Sequence, residues 1–83
     1  MRTADKCRAM GLRVGDTIEG REGDENGTWW DITRLTLIWL GDEVVVWRQT
    51  HINHMSNEWS DPREEADWSL DYRYWRKVTP NVS

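Results

Sequence analysis

At 83 residues with a net charge of −4, seven tryptophans and no phenylalanine, the chain is the size of one small domain that needs a dense core. Nine arginines and two lysines are scattered without a basic run, which argues against direct DNA binding, and a single cysteine excludes an internal disulfide framework. No apolar run approaches the ~20 residues of a membrane span and the N-terminus lacks an apolar signal core, so the expectation is a soluble protein without membrane contact.

Residues Met1 to Ala9 are polar and aperiodic and read as a disordered extension before a single β domain over 10–79; a short helix through Asp5–Ala9 is the competing reading. Leu12–Gly20 reads as a first strand entered through a turn at Gly15-Asp16, with Val14 and Ile18 inward. Gly20 to Gly27, with three glycines and Asp24, Glu25 and Asn26, reads as a mobile acidic loop. Trp29 and Trp30 follow. Adjacent residues of a strand point to opposite faces, so one of these rings is expected in the core and the other exposed.

Thr33 to Thr50 holds seven of the fifteen Leu, Ile and Val residues and predicts a hairpin. A two-residue turn at Gly41-Asp42, with glycine at positive φ, sets Leu40 opposite Glu43 and therefore Trp39 opposite Val44, Ile38 opposite Val45, Leu37 opposite Val46 and Thr36 opposite Trp47. One face then carries Leu37, Trp39, Val44 and Val46, the other Ile38, Leu40, Val45 and Trp47. Both are apolar, which predicts a central strand pair covered on both sides.

His51 to Asp61 reads as a polar loop. Asp61-Pro62-Arg63-Glu64 carries the marks of a helix start, Asp61 as N-cap and Pro62 at the first helical position, so one helical turn is expected there. Trp68–Leu70 and Tyr74–Val78 read as short strands joined by a turn at 71–73, and residues 80–83 as a frayed tail. The fold expected is mainly β: a small, strongly bent antiparallel sheet or SH3-like half-open barrel of about five strands with one short helical turn.

His51, His54 and Cys7 lack the paired spacing of a metal site, so no metal or other cofactor is expected. Asp61, Glu64, Glu65, Asp67 and Asp71 read as a solvated acidic face, because no nucleophile with a base, phosphate-cradling loop or metalloprotease motif accompanies them. The chain is expected not to be an enzyme. Glu58-Trp59-Ser60 and Asp67-Trp68-Ser69 repeat one pattern, either as two core anchors or as two walls of a groove.

The segments Gly11–Ile18, Leu35–Gly41, Val46–Arg48, Glu58–Pro62, Asp67–Leu70 and Trp75–Val78 resemble small uncharacterised accessory proteins of tailed bacteriophages of enteric bacteria. The resemblance carries no site residue across. It implies a context: a protein in the cytoplasm of the bacterial host that blocks a host or defence protein by binding. Tryptophan and arginine are enriched at interface hot spots, and this chain has more of both than a small core takes in; Trp30, Trp59, Arg63 and Trp75 are the expected contact residues. Sequestration of a nucleotide-like signalling molecule by a homo-oligomer is the second reading, and nucleic-acid mimicry by the acidic segment 58–71 the third.

Overall fold

Runs rich in β-branched and aromatic residues pair into one antiparallel sheet. The computed structural model describes residues 2–55, 58–66 and 74–78, without the side chains of Glu58, Trp59 and Asp61. Helix α1 (Thr3–Ala9) precedes strands β1 (Thr17–Gly23), β2 (Trp30–Leu40), β3 (Val45–Asn53), β4 (Glu58–Glu65) and β5 (Trp75–Val78). The strand order is β4-β3-β2-β1-β5, so the sheet is open, with β4 and β5 at its edges. The expectation of a mainly β fold with about five strands holds. Among the described residues no helix is long and apolar enough to cross a membrane.

The expected hairpin forms in a different register. Leu40 pairs with Val45 and Trp39 with Val46, then the register shifts and Leu37 pairs with Trp47. The connection is thus four residues, Gly41–Val44, and Ile38 is the extra residue of a β-bulge. Because side chains alternate, each one-residue slip exchanges the faces. Leu35, Leu37, Val45 and Trp47 share the buried face, while Ile38 and Trp39 are exposed. Gly41 is not at positive φ. It is small because the Trp39 ring lies over it: a Cβ there would fall 2.2 Å from Trp39 Cη2 and 2.9 Å from the Val44 carbonyl oxygen.

The N-terminal segment is helical, as the competing reading has it, and the helix starts earlier, at Thr3. Helix α1 packs Ala4 and Cys7 into the core with Leu12, Ile18, Leu35, Leu37, Val45, Trp47 and Trp75. Its end is a Schellman motif: Gly11, at φ 70, donates to the Arg8 carbonyl at 3.0 Å, and Leu12 donates to the Cys7 carbonyl at 2.9 Å. Leu12 and Cys7, the hydrophobic pair of that motif, are both buried. Thr3 N–H donates to the Ala66 carbonyl at 3.0 Å and Arg8 Nη2 to the Gly41 carbonyl at 2.6 Å, tying the helix to the residue that follows β4 and to the β2–β3 connection. Burial holds the Cys7 thiol up at about 11, with the charge of Glu65 adding to the shift.

Three further expectations change. Gly20–Gly23 belongs to β1, and the loop that follows is ordered by Asp24 Oδ1, which accepts from Thr28 N–H at 2.7 Å and Trp29 N–H at 3.3 Å. Val14 is exposed, not inward, while Ile18 is fully buried. Asp61–Glu64 lies within β4 and starts no helix. Proline is tolerated there because β4 is an edge strand. The expected strand at 68–70, turn at 71–73 and tail at 80–83 lie outside the described residues.

Candidate functional site on the open sheet face

The strand pairing sorts the side chains of β1, β2, β3 and β5 into two sets. Ile18, Leu35, Leu37, Trp47 and Trp75 lie on the face that α1 covers. One residue along, Glu19 pairs with Arg34 and with Arg76, and Arg21 pairs with Ile32, so these five share the opposite face. That face is open. Arg21, Arg34, Arg48 and Arg76 are all exposed, as are Trp30 and Tyr74.

At its centre three guanidinium groups surround one carboxylate. Arg76 Nη2 lies 3.0 Å from Glu19 Oε2, while Arg21 Nη2 and Arg34 Nη2 lie 3.2 and 3.6 Å from Oε1. Arg21 Nε also donates to Oε1 at 3.3 Å. Glu19 is only 3% exposed beneath these side chains, whereas the arginine side chains stay 54–63% exposed. Burial alone would raise the Glu19 carboxyl, but the hydrogen bond from Arg76 and the charges of Arg21, Arg34 and Arg76 outweigh it and hold it below its ordinary value of 4.5. Three positive charges against one negative charge leave a local surplus on an acidic protein. Each guanidinium carries five N–H donors, far more than one carboxylate accepts, so donors remain directed to solvent.

Beside the arginines lies an aromatic and aliphatic strip. Tyr74, Arg21, Arg76 and Glu19 line an open hollow of about 190 Å³. Arg21 also belongs to a second hollow, of about 290 Å³, with Glu22, Trp30, Asp31 and Ile32. Trp30 is held there by His54: the His54 N–H donates to the Trp30 carbonyl at 3.1 Å, and the two rings meet edge-on, 61° apart with centroids at 6.4 Å.

Of the four expected contact residues, Trp30, Arg63 and Trp75 do not come together. Trp30 stands on the open face, and neither it nor Trp29 enters the core: they are 37% and 42% exposed. Trp75 is buried in the core cluster, where its ring serves the fold. Arg63 pairs with Trp47 in register and donates to Gln49 Oε1 at 3.3 Å and to Glu65 Oε1 at 3.2 Å. Trp59 sits opposite His51 in the backbone register. Glu65, expected in a solvated acidic face, is buried and accepts from Trp47 Nε1–H at 3.1 Å. Glu64 is exposed, and Asp67, Asp71 and the second Asp-Trp-Ser echo lie outside the described residues. His51 is a strand residue 3.7 Å from Asp31, not a loop histidine.

Arg21, Arg34, Glu19, Tyr74 and Ile32 are the site residues that reading along the chain misses. Glu19-x-Arg21, Ile32-x-Arg34 and Tyr74-x-Arg76 are local signals: residues two apart in an extended chain share a face. Among the described residues no group of three or more His, Cys, Asp or Glu side chains is gathered as metal ligands. The groups this face presents can make charge-assisted hydrogen bonds from arginine beside rings that stack.

No curated protein and no solved structure matches the chain. One family model matches residues 1–80, taking in helix α1 as well as all five strands. The chain therefore belongs to the family described as Domain of unknown function (DUF7241).

Proposed function

We propose that this protein is a non-catalytic binding module that recognises an anionic partner through the open face of its sheet. The observation that supports this is the convergence of Arg21, Arg34 and Arg76 on Glu19, with the arginines left more than half exposed. A carboxylate buried under three guanidinium groups holds them in place before a ligand arrives, which lowers the ordering cost of binding. The aromatic strip beside them adds contact area of the kind enriched at hot spots. Two partner classes supply the matching anion: a bacterial host or defence protein with an acidic surface, which the resemblance to phage accessory proteins favours, and a nucleotide-like molecule, which the pairing of rings with arginines favours. In either case the expected effect on the partner is blockade or sequestration, with no reaction catalysed.

The face is tested by capture from a bacterial lysate. Wild-type protein is compared with Arg21→Glu, Arg76→Glu and Arg13→Glu, each first checked for a native circular dichroism spectrum. Loss of the captured species with the first two and retention with the third supports the open face, since Arg13 is exposed in the turn before β1. Retention with the first two and loss with the third places binding elsewhere.

A further inference from the structure

We infer that the strip joining the two hollows is a site for one nucleotide unit, its base over Trp30 and Ile32 and its phosphate against the arginines around Glu19. The inference rests on the open face being the binding surface. It is carried by the way Arg21 borders both hollows, one walled by Trp30 and Ile32 with Glu22 and Asp31, and the other by Tyr74 and Arg76 with Glu19.

Strand geometry fixes the spacing. Same-face neighbours lie ~7 Å apart along a strand and ~5 Å apart across the ladder, so Arg21 is beside Ile32 and Arg34 stands two same-face steps, ~13 Å, from Trp30. A ring at Trp30 and an anion at the arginines are thus spaced as two ends of one small ligand. The Trp30 hollow, at about 290 Å³, is near the lower bound of ~300 Å³ for ligand pockets, which suits one ring system and not a large molecule. Its ring is fixed by His54, so little side-chain order is lost when a base stacks on it. Glu19 keeps the guanidinium forks pointed at one locus while cancelling one of their three charges. A phosphate dianion restores the balance, and a diester, with one charge, halves the surplus. A purely carboxylate partner engages the arginines but makes no use of the stacking wall.

The same chemistry is offered by a free nucleotide and by a nucleotide within a single strand. The test is calorimetric titration of the full chain with adenosine monophosphate, an eight-residue deoxyadenosine strand, ribose 5-phosphate and inorganic phosphate. Binding of either base-bearing probe, at least tenfold tighter than both base-free probes, is the expected result; which of the two binds names the source. Trp30→Ala is expected to weaken that binding about tenfold, the order seen for loss of one base–aromatic stack. Arg21→Ala is expected to weaken it and to flatten its salt dependence. Val14→Ala, at an exposed turn position, is the control and leaves it unchanged.

Equal binding of base-bearing and base-free probes, or base-dependent binding indifferent to Trp30 and Arg21, overturns the nucleotide assignment. No binding of any probe, with lysate capture still lost in Arg21→Glu and Arg76→Glu, overturns it too but leaves the open face as the site of a protein partner. No binding of any probe together with capture indifferent to both arginines removes the site and the proposed function together.

Discussion

On the helix-covered side of the sheet Ile18, Leu35, Leu37, Val45 and Trp47 are closed off from water, whereas one residue along the same strands Glu19, Arg34, Thr36 and Arg48 form an open polar surface. Both sides hide a carboxylate, and they satisfy it differently. Glu65, on the covered side, accepts from the Trp47 indole and from Arg63, so its oxygens are taken up by the fold. Glu19, on the open side, serves three guanidinium groups that keep donors in solvent. A buried charge on the covered face costs desolvation and is tied down by its network. On the open face the same device leaves a surplus of positive charge available to a ligand. The comparison separates the residues that hold the fold from those that are available to recognise something.

The largest effect that would break this comparison comes from Trp47. Trp47→Ala is expected to cost about 3–5 kcal/mol in chemical denaturation, from lost burial and an orphaned Glu65 oxygen. A loss under about 1 kcal/mol would mean that the covered face is not the core. Next come the two neighbours at the bulge. Leu37→Ala should cost about 2–5 kcal/mol and Ile38→Ala about 0.5 kcal/mol or less, because only the first is buried. The reverse order would restore the register without a bulge.

The open face gives smaller effects. Glu19→Gln should cost about 1–3 kcal/mol at neutral pH, since a charged acceptor is removed from among three cations. The Glu19 carboxyl is held below 4.5 in the folded state, so its contribution is present above that pH and is lost as the pH falls through the lower folded value. The stability gap between wild type and Glu19→Gln should therefore narrow in acid; a gap that widened would place the shift in the other direction. Gly41→Ala should cost about 1 kcal/mol, as the added methyl displaces the Trp39 ring and crowds the Val44 carbonyl. Arg48→Ala, exposed and remote from Glu19, should stay within about 0.5 kcal/mol of wild type by the same denaturation assay.

How far the chain can be read without coordinates differs between the two faces. Strand β2 announces itself, because alternating Thr33, Leu35 and Leu37 against Arg34 and Thr36 is a period-two pattern that only a half-buried strand needs. The register does not, since the four-residue connection moves it by two and the bulge at Ile38 takes back one, and neither leaves a residue signature. Helix α1 is hidden for another reason: seven residues are too few to stand alone, and its stability comes from packing Ala4 and Cys7 on strands distant in sequence. The helix-start signal at Asp61-Pro62 misleads because proline at an edge strand and proline at a first helical turn both avoid a missing N–H donor. The arginine cluster is the least legible feature. Glu19 and Arg76 are 57 residues apart and meet only because β5 pairs with β1.

The most direct measurement is a ¹⁵N–¹H spectrum of the full chain titrated with adenosine monophosphate, read at the backbone amides and the arginine and tryptophan side-chain N–H signals. The account predicts saturable shifts concentrated on Arg21, Trp30, Ile32, Arg34, Tyr74 and Arg76, with the Trp47 indole signal unmoved beneath the helix. Shifts spread over Trp47, Leu37 and α1, or none on the arginines around Glu19, would contradict it.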